Sequence, residues 1–256
     1  MKALIARLLG SLGYCMVRKS SLAGLNAAAA RGRDVDFLAA MPDAHVAELL
    51  KLLPLSHSQL RQDLFLLSEL GLKRGGYFVE FGAASGKELS NTWLLEKHFG
   101  WNGILAEPAQ CWHERLAANR TCIIEHRCVW KSTGESLEFA EASEAEISTL
   151  ITFKGGDQHA ASRRLSRHYQ VETISLNDLM AEHKAPDKPD YLSIDTEGSE
   201  WEILQEFDFK RYAFKVITCE HNFTPAREKI HVLLTAAGYV RKYEKISDFD
   251  DWYVRA

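Results

Sequence analysis

Acidic side chains are missing from the first 33 positions, where Lys2, Arg7, Arg18, Lys19, Arg31 and Arg33 stand unopposed. The remainder holds 25 basic against 35 acidic residues, so the net charge of −4 conceals a body at −10. Nucleic-acid binding draws most of its free energy from phosphate neutralisation, so this acidic body argues against DNA or RNA as a partner. Long apolar runs are absent too: no stretch reaches the ~18 consecutive apolar residues that span a bilayer. The cysteines, Cys15, Cys111, Cys122, Cys128 and Cys219, are odd in number and contain no C-x-x-C pair. That pattern speaks against a disulfide framework and a structural zinc site, and places the chain by default in a reducing, cytoplasmic setting. No internal repeat or low-complexity tract occurs beyond the run Ala27–Ala30.

What is present suits one α/β domain. With 256 residues, 46% of them hydrophobic, the chain can bury one sizeable core and carry an added N-terminal piece. Leu4, Ile5, Leu8, Leu9 and Leu12 fall on one helical face beside Lys2 and Arg7. The segment is open to three readings: an interfacial anchor making peripheral membrane contact, a disordered basic tail, or an organellar targeting segment. Arg7 interrupts the apolar region and argues against a secretory signal. The expected layout is a basic tail over 1–33, a helical extension over 34–71, and the main domain over 72–256 with an insertion or lid at about 131–170.

Val46, Leu49, Leu50 and Leu53, opened by Asp43 and stopped by Pro54, predict a helix. Ser56 and Gln59 predict a capping box for a second one, its stripe of Leu60, Leu64 and Leu67 ending at Gly71. Strand signals follow near 77–82, 103–107, 121–129, 190–195 and 214–220, separated by helical stretches. The alternation predicts a mostly parallel sheet with helices on both faces. Two further strands, near 238–244 and 250–255 and joined through Ser247, Asp248 and Asp250, read as an antiparallel hairpin that completes seven strands. Lys131–Lys188 is too long for a simple connection. With Lys154, Gly155, Gly156, His159, Arg163, Arg164, Arg167 and His168, it reads either as a basic cover over an acceptor or as a solvated helix face.

The densest signal is Gly76–Gly86. Tyr77, Phe78, Val79 and Phe81 form a buried strand, Gly82 and Gly86 allow a sharp turn, and Leu89, Trp93, Leu95 and Phe99 give Lys87–Phe99 helical spacing. The spacing Gly82-x-x-x-Gly86 differs from the G-x-G-x-x-G that cradles a pyrophosphate. S-adenosylmethionine lacks a phosphate; its site needs close backbone approach and a carboxylate for the ribose. Glu107, closing the run Gly103–Glu107, stands where that carboxylate belongs.

Over roughly Ser58 to Val254 these residues resemble the FkbM family of S-adenosylmethionine-dependent methyltransferases. The likeness rests on Gln62-Asp63 with Gly75–Gly86, on Trp101–Pro108, and on Val171–Leu179 leading to Asp190–Glu200 and Val216–His221. The resemblance implies a Rossmann-like methyltransferase fold, S-adenosylmethionine as cofactor, and methylation of a hydroxyl oxygen on a sugar, glycan or other small metabolite. It also implies that Glu80, Gly82, Ala83, Ser85, Gly86 and Glu107 hold the cofactor, with Asp195 beside the methyl group.

Asp195, Glu197, Glu220 and His221 are the catalytic candidates, because parallel strands bring their carboxyl ends to one edge, where open α/β sheets bind ligands. Clustered carboxylates raise one another's pKa, which suits Glu220 or His221 as a base and Asp195 as a positioning group or helix cap. The same four could hold magnesium or manganese, but their spacing matches no dedicated motif and no metal is expected. Cys219 should point to the opposite face from Glu220. Asp63 is either carried into the cleft or confined to packing. Two rivals remain. A nicotinamide-dependent oxidoreductase has the glycine spacing and the lack of a Tyr-x-x-x-Lys pair against it; an inactive binding protein has the intact Glu80, Glu107 and Asp195 against it. The sequence carries no signal for an oligomeric state or for one particular acceptor.

Overall fold

The computed structural model describes residues 19–142, 149–150 and 166–256. Leu4, Ile5, Leu8, Leu9 and Leu12 lie outside these, as do Lys154, Gly155, Gly156, His159, Arg163 and Arg164 of the insertion. The chain divides into two compact units, Met1–Ala40 and Met41–Ala256. The described part of the first is one helix, α1 (Lys19–Ala40), rich in alanine and free of proline, which runs unbroken through residue 33. Among the described residues no helix is long and apolar enough to cross a membrane.

The second unit opens with α2 (Asp43–Leu52), which carries Asp43 in its first turn and passes into a short 3-10 turn at Leu53–Leu55 containing Pro54. Leu49 and Leu52 are buried, whereas Leu50 of the predicted stripe is 56% exposed. The capping box expected at Ser56 and Gln59 does not form. Helix α3 (Gln62–Glu69) begins later, after Arg61 in the left-handed region at φ 70°. Ser56 instead donates its hydroxyl to Asp63 Oδ1 at 2.8 Å, and Ser58 Oγ accepts the Gln62 N–H at 2.9 Å.

In chain order there follow β1 (Tyr77–Phe81), α4 (Trp93–Phe99), β2 (Asn102–Ala106), α5 (His113–Asn119), β3 (Ile123–Glu125), β4 (Cys128–Trp130), β5 (Ser136–Ala142), β6 (Thr149–Leu150) and β7 (Ser166–Ser175). The chain ends with α6 (Leu176–Glu182), β8 (Tyr191–Ile194), α7 (Glu200–Leu204), β9 (Val216–Glu220), α8 (Ala226–Ala236), β10 (Tyr239–Lys242) and β11 (Asp250–Arg255). Seven strands make the main sheet in the order β10-β11-β9-β8-β1-β2-β3. Only β11 runs antiparallel to its neighbours, entering between β9 and β10 as the second arm of the predicted hairpin.

The strand expected over 121–129 is two strands in two sheets. β3 joins the main sheet, while β4 pairs with β7 in a second sheet of order β4-β7-β5-β6. The break falls at a polar corner where the Arg127 guanidinium folds back on Glu125 at 2.7 Å and reaches Glu182 at 2.6 Å. Arg167 and His168 lie on strand β7, so these two do not belong to a helix face, one of the two readings of this stretch.

Side chains alternate across strands, and the two faces of the main sheet differ. One carries Val79, Phe81, Leu192, Ile194, Ile217 and Cys219 against Leu179 of α6, Ile203 of α7 and Ile230 of α8. The other carries Glu80, Ser193, Thr218 and Trp252 as one cross-strand row. Helix α3 covers this second face, with Phe65 stacked on Trp252 at 4.6 Å between ring centroids.

Candidate active site

The carboxyl ends of β1, β2 and β8 open into a cleft of about 600 Å³, open solvent included. Gly82 and Ala84 form its floor turn, Glu107 and Pro108 follow β2, and Asp195, Thr196 and Glu197 follow β8. The second sheet supplies an apolar wall of Cys128, Val129 and Phe139. Gly82 has to be glycine: its φ is 70°, and a Cβ there would meet the Asp195 carbonyl oxygen at 2.0 Å. This contact draws the ends of β1 and β8 together.

Glu107 ties the turn to the β2 loop. Its Oε2 accepts the Ala84 N–H at 2.7 Å and its Oε1 accepts the Ala109 N–H at 2.8 Å. Burial lifts its pKa to about 7, and nearby Asp195 and Glu141 push in the same direction against those two hydrogen bonds. Each oxygen retains a second lone pair, so the carboxylate can also accept from a ligand's hydroxyls.

Glu80 plays a different part. It is enclosed by the Ser90 hydroxyl at 3.1 Å, the Asn91 N–H at 2.7 Å and the Thr92 hydroxyl, with Arg120 at 3.8 Å. Glu80, Ala83, Ser85 and Gly86, all expected at the cofactor, are not among the residues lining the pocket. Ser85 turns its hydroxyl to Glu88, and the Gly86 carbonyl accepts from Arg120 at 3.1 Å. These residues shape the loop that carries Ala84. The same wrapping explains why the helix predicted over Lys87–Phe99 shortens to α4, starting at Trp93. The chain bends around Glu80 first, and Leu89 takes φ 62° with half its surface exposed.

At the opposite edge Asp195, Glu197 and Glu220 each bring one oxygen within 4.8 Å of the others, a spacing that could hold a hard divalent cation. Asp195 and Glu220 are hydrogen-bonded to each other. Burial first, then the neighbouring acids, raise Asp195 to about 6 and Glu220 well above the usual carboxylate range. The pair therefore titrates as a unit and shares a proton near neutrality. Glu197 stands at φ 58° and accepts from the Asn222 amide at 3.4 Å. Glu200, the last acid of the motif, faces inward: its Oε1 accepts the Thr196 and Gly198 N–H groups at 3.0 Å each and holds the loop.

His221 stands apart from the pocket lining. Its Nδ1 accepts the Phe223 N–H at 3.0 Å, and its Nε2 lies 3.8 Å from Asp251. Asp63 is buried within α3, where burial lifts it to about 7. Sequence reasoning missed Ala84 and the apolar wall. Cys128 and Val129 were visible only as part of one long strand, and Phe139 gave no signal.

A family model described as the methyltransferase FkbM domain matches residues 80–253. The chain belongs to the FkbM methyltransferase family. No curated protein sequence matches it significantly. Among solved structures, it is similar to an FkbM methyltransferase from Methylobacillus flagellatus KT, at 12% identity and TM-score 0.46 over 90% of this chain and 60% of that one. It is also similar to a precorrin-6y C5,15-methyltransferase from Geobacter metallireducens, at 14% identity and TM-score 0.38 over 75% of this chain and 85% of that one. A third, a SAM-dependent methyltransferase from Aquifex aeolicus, shows 11% identity and TM-score 0.36 over 81% and 96%.

The family's cofactor is S-adenosylmethionine, and the pocket suits it. Its apolar wall can take a flat base, Glu107 offers acceptors for ribose hydroxyls, and Asp195 and Glu197 supply acidic groups that suit a sulfonium or an ammonium. Among the described residues the lining contains no lysine or arginine, and no helix N-terminus directly follows the glycine turn, since α4 starts at Trp93. A pyrophosphate would meet Glu107, Asp195 and Glu197 with no basic side chain among those described residues to offset them, which counts against the nicotinamide dinucleotide rival.

Proposed function

We propose that this FkbM-family protein methylates a hydroxyl oxygen of a sugar, glycan or other small metabolite. When bound, S-adenosylmethionine supplies a methyl group activated on a sulfonium. The residues of the chain have two tasks. Glu107 and the Gly82–Ala84 turn fix the nucleoside end. The hydrogen-bonded Asp195–Glu220 pair at the pocket edge carries the reading, because an alcohol is a poor nucleophile until a base takes its proton. A carboxyl pair that loses its first proton near pH 6 is ionised enough at neutrality to accept that proton. Orientation in the closed edge supplies the rest, on the order of 7–11 kcal/mol where donor and acceptor are well aligned.

The test is incubation with methyl-labelled S-adenosylmethionine and a panel of glycosides and hydroxylated metabolites. Label should appear in an alkali-stable methyl ether. Label found only in an amine or an alkali-labile ester would overturn the oxygen-acceptor reading.

A further inference from the structure

The acid assigned to the ribose is also anchored through its backbone, and we infer that His113 is the positioning residue that does this, holding the Glu107 peptide and so setting the affinity for S-adenosylmethionine. The inference rests on the methyl-transfer reading through the cofactor alone.

Glu107 stands one residue past the last pairing of β2 with β3, Ala106 with Glu125. Its N–H still reaches the Glu125 carbonyl at 3.0 Å. Continued by one step, the parallel ladder would give the Glu107 carbonyl the N–H of Arg127. That donor is taken, because the polar corner after β3 turns the Arg127 N–H onto Glu125 Oε1 at 2.9 Å. The bond is supplied instead by His113 Nε2, 3.1 Å from the Glu107 carbonyl, on the first residue of α5. A carbonyl only accepts, so Nε2 carries the proton and, in the neutral ring, Nδ1 is bare. Burial first, then the neighbouring ring of His126 at 3.9 Å between centroids, lower the His113 pKa and keep that ring neutral near neutrality.

The consequence reaches the cleft through Glu107. His113 is not among the residues that line the cleft, whereas Glu107 is. The carboxylate of Glu107 is tied to the Ala84 and Ala109 N–H groups, and the peptide it hangs from is tied to Glu125 and His113. Without the His113 bond, the carbonyl of a residue only 5% exposed would lack its donor, and the peptide would have to shift to find another. The carboxylate would move with it, and a ligand would have to restore the pose on binding.

Calorimetry with S-adenosylhomocysteine tests this on the full chain, with two variants. His113→Phe keeps a ring against His126 and loses the donor; it should weaken binding about five- to tenfold, the worth of one hydrogen bond. His113→Gln sets an amide N–H where Nε2 stands and should bind within about twofold of wild type. Nitrogen-15 NMR of the wild-type histidines should show His113 as the Nε2–H tautomer, a readout that needs no variant to fold. Undiminished binding by His113→Phe, a His113→Gln protein as weak as His113→Phe, or an Nδ1–H tautomer would each overturn the inference. If His113→Phe melts too low to titrate, the tautomer and the His113→Gln affinity decide it. Failure of wild-type protein to bind S-adenosylhomocysteine would instead sink the methyl-transfer reading beneath it.

Discussion

Glu80, at the end of β1, and Glu220, at the end of β9, are buried on the same face of the same sheet, 3% and 9% exposed. Around Glu80 the chain supplies two hydroxyls, a backbone N–H and, at 3.8 Å, the Arg120 guanidinium, itself bound to Glu96 at 2.6 Å. Around Glu220 it supplies another acid, Asp195, and among the described residues one oxygen has no partner. Both carboxylates have raised pKa values because burial disfavours charge. The difference lies in what answers that cost. At Glu80 the protein does so itself, and the acid becomes part of the scaffold. At Glu220 the cost stays open for a ligand or a proton.

The sharpest break of this comparison is Glu220→Gln. It removes the acid that shares a proton with Asp195 and should lower kcat by up to about 10²–10⁴-fold, the usual worth of a general base such as the pair forms, while leaving the thermal midpoint unchanged or slightly higher, because a buried acid is removed. Full activity would erase the distinction between the two sites. The converse is Glu80→Ala, which strips Arg120 of one of its two acids and should cost about 3 kcal/mol of stability in urea unfolding. Its effect on cofactor affinity should be smaller than that of the pocket variant considered next. Glu107→Ala removes acceptors for the ribose and should weaken S-adenosylmethionine by about 10–100-fold in calorimetry, equivalent to one or two charge-assisted hydrogen bonds. Undiminished binding would remove the ribose role.

Stability should also depend on pH. Burial raises Asp63 and Glu107 to about 7 and Asp250 to about 8. Each binds more proton folded than unfolded between its ordinary carboxylate pKa and the raised value, so its stability contribution is present at low pH and lost as pH rises through that window. His57, His113 and His221, lowered from 6.5 by burial, work the opposite way, but only below pH 6.5. Between pH 6.5 and pH 8 the acids act alone, and stability of the ligand-free protein should fall by up to about 1.4 kcal/mol per pH unit for each acid. Thermal melts across that range should show the decline, and Asp250→Asn should flatten it. A midpoint rising from pH 6.5 to 8 would contradict the assignment.

Much of the fold was legible because periodicity reports burial. The strand Tyr77–Phe81, the acid closing β2, the Asp195 turn and the terminal hairpin stand where their patterns predict. The failures share a cause: periodic patterns were outvoted by individual side-chain partners. Lys87–Phe99 has helical spacing, but Glu80 claims Ser90, Asn91 and Thr92 before a helix can start. Ser56 has capping chemistry, but Asp63 takes its hydroxyl. The strand at 121–129 splits because Arg127 folds back onto Glu125.

The site was legible by residue type and less so by role. Glu80 and Glu107 both end apolar runs, and only the surrounding chain separates scaffold from pocket wall. Glu220 and His221 were adjacent candidates for the base. Alternation along the strand puts Glu220 beside Asp195, and the turn after β9 sends His221 toward Asp251. Gln62 and Asp250 are 188 positions apart and meet only through the pairing of β11 with β9, which no local pattern encodes.

A crystal structure of the protein with S-adenosylhomocysteine tests the central claim most directly. The ribose hydroxyls should lie within hydrogen-bond reach of Glu107 and the sulfur beside Asp195, with Glu80 still enclosed by Ser90, Asn91 and Thr92. A nucleoside bound elsewhere, or one contacting Glu80 in place of Glu107, would contradict the account.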